Sequence, residues 1–463
     1  MTGTEGTVAT EERAGTGGRA DSDAAAAPRI AVIGGTPATL RKVRAAGFEI
    51  VWVYGPQELD PAGLAHVAEA HLVDYREPAA VAELLATVHR LRPLVRVVSI
   101  IEDGLEPAAA ATTRLGLPGN GLELVQVLQD KLAFRTLLAE RGVDAVAARI
   151  GHTAADIRAF VAEHGPAVIK PRYGSGSLGV RFVEDLAAAD EAGAWAAGFG
   201  LHSFLMEQFL SGTEISVETF SFAGRHVVLA YTAKEKLASF VEVGHTQPAP
   251  LEADTARRVE GLVRSMLDAV GLTDGPAHTE VIITEQGPRL VESHSRRGGD
   301  RITDLVQQVY GIDTDALAFL WYAGRTGPVE PGEPARGASI RFLTAEPGVV
   351  DAVEGLAEVL ADPDVVDASV SVGPGDTVVP IAWSYDRCGL VLARGRDGRE
   401  AAERASALAA RIAIRTSPAE TGPPVRTLAT IAARPDRLVG AAPGPGTEPV
   451  PAASTGEAAG AAG

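Results

Sequence analysis

The segment Ala167-Val-Ile-Lys-Pro-Arg-Tyr-Gly-Ser-Gly-Ser-Leu-Gly-Val-Arg-Phe-Val183 sets two short apolar runs on either side of a glycine-rich turn. Gly174-Ser-Gly176-Ser-Leu-Gly179 matches GxGxxG letter for letter, a weak signal taken alone. A dinucleotide-binding turn passes directly into a helix. Here Val180-Arg-Phe-Val183 continues as a strand, so the segment reads as a hairpin. Its turn, with Gly174, Ser175, Gly176, Ser177 and Gly179, can lay backbone N–H groups over phosphates. Lys170 ends the first strand and offers those phosphates a cation. The plainer reading, an ordinary hairpin with a solvated lysine, loses weight as downstream residues are added.

Other nucleotide and nucleophile signatures fail. No lysine completes GxxxxGK[ST], no GxSxG elbow occurs, and Cys388 has no histidine nearby. As the single cysteine, Cys388 excludes an intramolecular disulfide and a cysteine-built structural zinc site. The chain has only five lysines (Lys42, Lys131, Lys170, Lys234, Lys236) among 42 basic residues. Arginine replaces lysine freely on solvated surfaces but not where a compact point charge is needed, so each lysine is a functional candidate.

A net charge of −18 argues against a nucleic-acid partner, which needs a basic face, but not against ATP, since a few cations can dominate one site. With 46% hydrophobic and 22% charged residues the chain can bury a sizeable core. Met1 to Asp23 lacks the layout of a signal peptide, and no apolar stretch approaches the ~20 residues of a membrane helix. A cytoplasmic protein without a membrane partner is expected.

At 463 residues, about three domains are expected. Residues 1–27 and 418–463 lack periodicity and are expected to be disordered tails. Strand runs alternating with helical stretches over 28–125, beginning at Arg29-Ile-Ala-Val-Ile33, predict a parallel α/β domain. Residues 126–206 hold the glycine hairpin, and 207–332 hold strands around a helix near 253–270. Residues 336–416 read strand, helix, strand, strand, helix, giving a small α+β unit.

Four further motifs follow in order: Asp130-Lys131-Leu-Ala-Phe-Arg135, Glu207-Gln-Phe-Leu-Ser-Gly-Thr-Glu214, Glu280-Val-Ile-Ile-Thr284 and Leu290-Val-Glu292-Ser-His-Ser-Arg296. Glu280 and Glu292 belong to apolar strands joined at Gln286-Gly287, so their carboxylates can converge across a hairpin. Mg²⁺ takes carboxylates together with substrate phosphate oxygens, so two acids suffice, and Mn²⁺ is the other hard ion such a pair accepts. Solvated strand-end acids are the plainer reading.

Taken together the motifs resemble the ATP-grasp superfamily, and more narrowly the L-amino acid ligases, carboxylate–amine ligases that make dipeptides. The match spans roughly 29–416. It implies an ATP-grasp fold of mixed α/β and α+β class: an N-terminal α/β domain, a mobile lid over 126–206, a metal- and ATP-binding core over 207–332, and the C-terminal α+β domain. By the resemblance Lys131 and Lys170 contact ATP under the glycine loop. Glu207, Phe209 and Leu210 meet adenine, and Glu214 meets the ribose hydroxyls. Glu280 and Glu292 hold the metal. Most relatives carry Asn two residues past the second glutamate, where this chain has His294, a less usual Mg²⁺ ligand that could instead orient Glu292 or touch substrate.

The resemblance also implies a substrate side. Arg296 takes a carboxylate or acyl phosphate bidentately, with Gly299 and Asp300 beside it. Phe240-Val-Glu-Val-Gly-His245 resembles a substrate loop, and Ile101-Glu102-Asp103-Gly104 an acidic loop in which Glu102 neutralises an ammonium. The implied reaction joins a carboxylate to an amine, both small molecules and by expectation amino acids, through an acyl phosphate, releasing ADP and phosphate. Arg296 and Lys170 are the expected catalytic groups, ATP and Mg²⁺ the cofactors, and a homodimer is compatible with the pattern. Bicarbonate- or purine-precursor-dependent ATP-grasp chemistry, or a non-catalytic ATP-binding regulator, are the alternatives.

Overall fold

The computed structural model describes residues 27–56, 60–419 and 427–428; the expected disordered tails lie almost entirely outside the described residues. Strand β1 (Arg29–Ile33) is buried along its whole length, as a central parallel strand covered on both faces must be. It pairs in parallel with β2 (Glu49–Tyr54) and β4 (Arg96–Ser99), and β3 (Glu69–Leu72) completes the order β3-β2-β1-β4. Separate apolar clusters fill the two faces, one around Trp52 and Leu40, the other around Tyr75 and Leu85.

A second sheet is antiparallel, with β5 (Ala148–Gly151), β6 (Ala167–Lys170), β7 (Arg181–Val183) and β8 (Phe204–Gln208) in the order β5-β8-β6-β7. The glycine hairpin is present, with Ala167 opposite Val183 and Ile169 opposite Arg181. Helices Ala154–His164 and Ala189–Phe199 back this sheet through Phe160, Ala192 and Phe199.

The largest sheet has eight strands. β9 (Thr213–Phe222), β10 (Arg225–Lys236), β11 (Glu242–Gln247), β12 (Asp274–Thr284) and β13 (Gly287–His294) form one side. Helix Ala253–Val270 packs on it through Val259, Val263, Met266 and Val270, the 4-3-4 spacing of an amphipathic helix. The C-terminal block carries six strands, β14 (Gly337–Leu343), β15 (Gly348–Glu354), β16 (Val365–Val370), β17 (Thr377–Val378), β18 (Gly389–Gly395) and β19 (Ala413–Ser417). That is more than the strand-helix-strand-strand-helix reading allowed. Moreover β14, β18 and β16 continue the large sheet past β11, in the order β13-β12-β9-β10-β11-β14-β18-β16, while β17, β15 and β19 form a small sheet. Among the described residues no helix is long and apolar enough to cross a membrane.

Candidate active site

Helix Lys131–Glu140 starts at Asp130, whose carboxylate accepts the N–H groups of Leu132 and Ala133 at 3.1 and 3.2 Å. Arg172 and Tyr173 of the glycine hairpin bind the same carboxylate, so the cap also anchors the hairpin. Lys131 is thereby set at the mouth of a cleft of about 550 Å³ between the second sheet and the large one. Its Nζ donates to the Gly174 carbonyl at 2.6 Å and lies 3.1 Å from Glu292 Oε2. Burial would lower this ammonium's pKa, but Glu292, Glu207 and Glu102 around it raise it, so Lys131 is a firm cation.

Lys170, at the end of β6, pairs with Glu207 at 2.6 Å, and Arg135 takes the other Glu207 oxygen at 2.9 Å. Arg135 also donates to the Leu290 and Val291 carbonyls of β13, pinning the metal-candidate strand to the lysine helix. Burial raises the Glu207 carboxyl, but Arg135 and Lys170 outweigh it and hold it down to about 2. The Glu207 side chain is therefore a buried counter-ion for two cations, and Glu207 also lines the cleft. Phe209, Leu210, Glu214, Gly174, Ser175 and Ser177 line the cleft. Gly176 and Gly179 do not; Gly179 has φ +71° and a Cβ there would lie 3.0 Å from Phe199, which only glycine accommodates. Ser177 donates to the Phe240 carbonyl at 3.0 Å, and the Ser384 N–H to the Gly176 carbonyl at 3.3 Å, holding the loop down on the cleft.

Glu280 and Glu292 face each other across the β12–β13 ladder, beside a bulge between Glu280 and Val281. Burial raises both carboxyls, yet Lys234 for Glu280 and Lys131 for Glu292 pull them well below the usual range. Two ionised oxygen donors at the cleft suit a hard divalent ion such as Mg²⁺ or Mn²⁺. His294 does not line the cleft. It sits between acids, with Nε2 3.2 Å from Glu292 and Nδ1 3.0 Å from Glu102, the place of a group that orients Glu292.

The substrate candidates divide into two clusters. Glu102 opens helix Glu102–Leu115 instead of lying in a loop, in the first turn that acidic residues favour, and the helix continues through Pro107. Glu102 pairs with Arg296 Nε at 2.6 Å, so the expected ammonium and carboxylate receptors neutralise each other here. In the second cluster buried His245 lies 3.2 Å from Asp300, which a bidentate Arg387 grips at 2.7 and 2.6 Å. Gly299 directly precedes Asp300, and its carbonyl accepts the Ile302 N–H.

Four of the five lysines line the cleft, while Lys42 pairs with Asp313 and Asp315 elsewhere. Sequence reading gave no role to Arg135, Glu218, Glu242, His278 or Arg387. Lysine scarcity pointed at Lys234 and Lys236, but nothing in the sequence tied Arg135 to Glu207 or Arg387 to Asp300, which are 72 and 87 residues apart.

A hairpin lid on a large antiparallel sheet, with lysines facing paired glutamates, is the ATP-grasp arrangement. Profile comparisons place an ATP-grasp N-terminal domain at residues 40–119, an ATP-grasp domain at 163–304 and an L-amino acid ligase C-terminal domain 2 at 341–417. The chain carries ATP-grasp domains together with an L-amino acid ligase C-terminal domain. It is 31% identical over 306 residues to the uncharacterized protein y4rH of Sinorhizobium fredii, covering 64% of this chain and 63% of that protein. It is 26% identical over 238 residues to the alanine–anticapsin ligase of Bacillus subtilis, covering 46% and 50%. The chain thus spans less than two thirds of these relatives' length. The crystal structure of an L-amino acid ligase from Bacillus licheniformis superposes with a TM-score of 0.71 at 23% identity, over 84% of this chain and 99% of that one, and shares the fold.

Proposed function

We propose that the protein is an ATP-dependent carboxylate–amine ligase that activates an amino acid as an acyl phosphate and joins it to a second amine. One observation carries this reading. A row of close polar contacts runs from Lys131 to Arg296: Lys131–Glu292 at 3.1 Å, Glu292–His294 at 3.2 Å, His294–Glu102 at 3.0 Å and Glu102–Arg296 at 2.6 Å. This row supports a phosphate-donor site and a carboxylate site lying side by side. The C-terminal domain type and the alanine–anticapsin ligase relative favour amino acids over bicarbonate or a ribotide.

In this reading Glu280 and Glu292 hold a divalent ion, which when bound neutralises charge on the transferring phosphoryl group. Lys131 and Lys170 bind the phosphates from the lid side. Arg296 releases Glu102 to the substrate ammonium and turns to the carboxylate that attacks the γ-phosphorus. Phosphate leaves when the amine attacks the acyl carbon. The loop Gly174–Gly179 keeps water from the mixed anhydride.

Incubation with ATP, Mg²⁺ and pairs of amino acids should yield ADP and phosphate, and added hydroxylamine should trap the activated acid as a hydroxamate. AMP with pyrophosphate as the products would sink the acyl-phosphate reading. Glu102→Lys should abolish amino acid use while ATP still binds, and unchanged use would move the ammonium site elsewhere.

A further inference from the structure

Strand β10 carries a lysine with no assigned role. The Lys234 side chain is 1% exposed, and its ammonium meets carboxylates from three other strands: Glu214 of β9 at 3.6 Å, Glu242 of β11 at 2.5 Å, and Glu280 of β12 in a shorter ion pair. Oxygens of these three acids lie within 4.8 Å of one another. Carboxylates so crowded in a buried place repel strongly unless a cation sits among them. Lys234 is the cation that reaches all three, while Lys236 pairs with Glu214 alone. The contact falls on Glu280 Oε1, and His278 Nε2 approaches the same oxygen at 3.6 Å, while His278 Nδ1 is held by Glu218 at 2.9 Å. Among the described residues no partner is recorded for Glu280 Oε2, the oxygen left for an ion.

We propose that Lys234 is a positioning residue, a built-in counter-ion that holds Glu280 by one oxygen and makes divalent-cation binding conditional on nucleotide. This rests on the reading of Glu280 as a metal ligand. With Lys234 in place, its charge opposes a second cation at Glu280 until the nucleotide phosphates bring negative charge and further oxygen donors. The same contacts tie the nucleotide side at Glu214 and the substrate loop at Glu242 to the metal carboxylate through one ammonium.

Free Mn²⁺, counted by its EPR signal as the full-length protein is added, tests this with and without the ATP analogue AMPPNP. Wild type is expected to bind Mn²⁺ only with AMPPNP. Lys234→Met leaves Glu242 and Glu280 without the ammonium between them, only Glu214 keeping a lysine partner in Lys236, and should bind Mn²⁺ without nucleotide at least about tenfold more tightly than wild type. Lys234→Arg keeps the charge and should behave like wild type. A lysine that served only packing would give no gain in ion affinity on removal. Circular dichroism checks the fold, and Lys234→Gln, which keeps a hydrogen-bonding head, takes the place of Lys234→Met if the latter does not fold. Unchanged nucleotide-free affinity in the folded variant, beside AMPPNP-dependent binding in wild type, overturns the proposal and leaves the metal reading standing. Tight nucleotide-free binding by wild type also overturns it. Failure of wild type to bind Mn²⁺ with AMPPNP bound overturns both.

Discussion

At the scale of single residues, the cleft is a set of buried charges that cancel in small groups. Glu207 neutralises Arg135 and Lys170, so its loss leaves two buried cations with no counter-ion. Glu207→Gln should therefore cost about 3–5 kcal/mol of stability, as breaking a buried pair does, read as a lowered urea midpoint. Glu292 also sits beside a buried lysine, but its proposed work is on the ion. Glu292→Gln should lower kcat for ADP release by about 10²–10³-fold, the scale of losing one preorganised electrostatic group. Full turnover at ordinary Mg²⁺ would remove Glu292 from the metal site.

At the scale of elements, the strands decide which carboxylates share a site, and the hairpin decides when it is covered. His278 on β12 shows how a strand stores pH dependence. Burial lowers its pKa, but the Glu218 carboxylate opposite outweighs that and raises it from 6.5 to about 9. A folded pKa above the unfolded one means the stabilisation is fully present below about pH 6.5 and is lost as pH rises through 9. Thermal unfolding from pH 6 to 10 should show this loss, of order 3 kcal/mol, and Glu218→Gln should flatten it. In the glycine hairpin, Gly174, Gly176 and Gly179 all have positive φ, and the loop's hydrogen bonds to the cleft and the C-terminal block go to Lys131, Phe240 and Ser384. Limited proteolysis should cut Gly174–Gly179 slowly when ATP and Mg²⁺ are present and faster without them. Equal rates in the two conditions would count against a phosphate cover.

At the scale of the whole molecule, the C-terminal block completes the site from far along the chain. Trp383 is buried in the apolar cluster of the hairpin sheet, Ser384 binds the Gly176 carbonyl, and Arg387 grips Asp300 while stacking 3.6 Å over Phe342. Trp383→Ala should cost about 3–5 kcal/mol, as large-to-small core changes do, and speed cleavage of the glycine loop although the loop itself is unchanged. The sequence by itself determined the local pieces. Periodicity marked the parallel N-terminal strands, a strand in place of a helix after Gly179 marked the hairpin, and spacing across Gln286-Gly287 put Glu280 opposite Glu292. These readings held because each depends on neighbours a few residues apart, where backbone geometry sets what meets. Tertiary structure alone decided that β14, β16 and β18 join the central sheet, that Glu207 serves Arg135 and Lys170, and that Glu102 meets Arg296. Each of those depends on which strand edge pairs with which, or on which buried charge finds a counter-ion 37 to 194 residues away, and no local pattern in a chain encodes that choice.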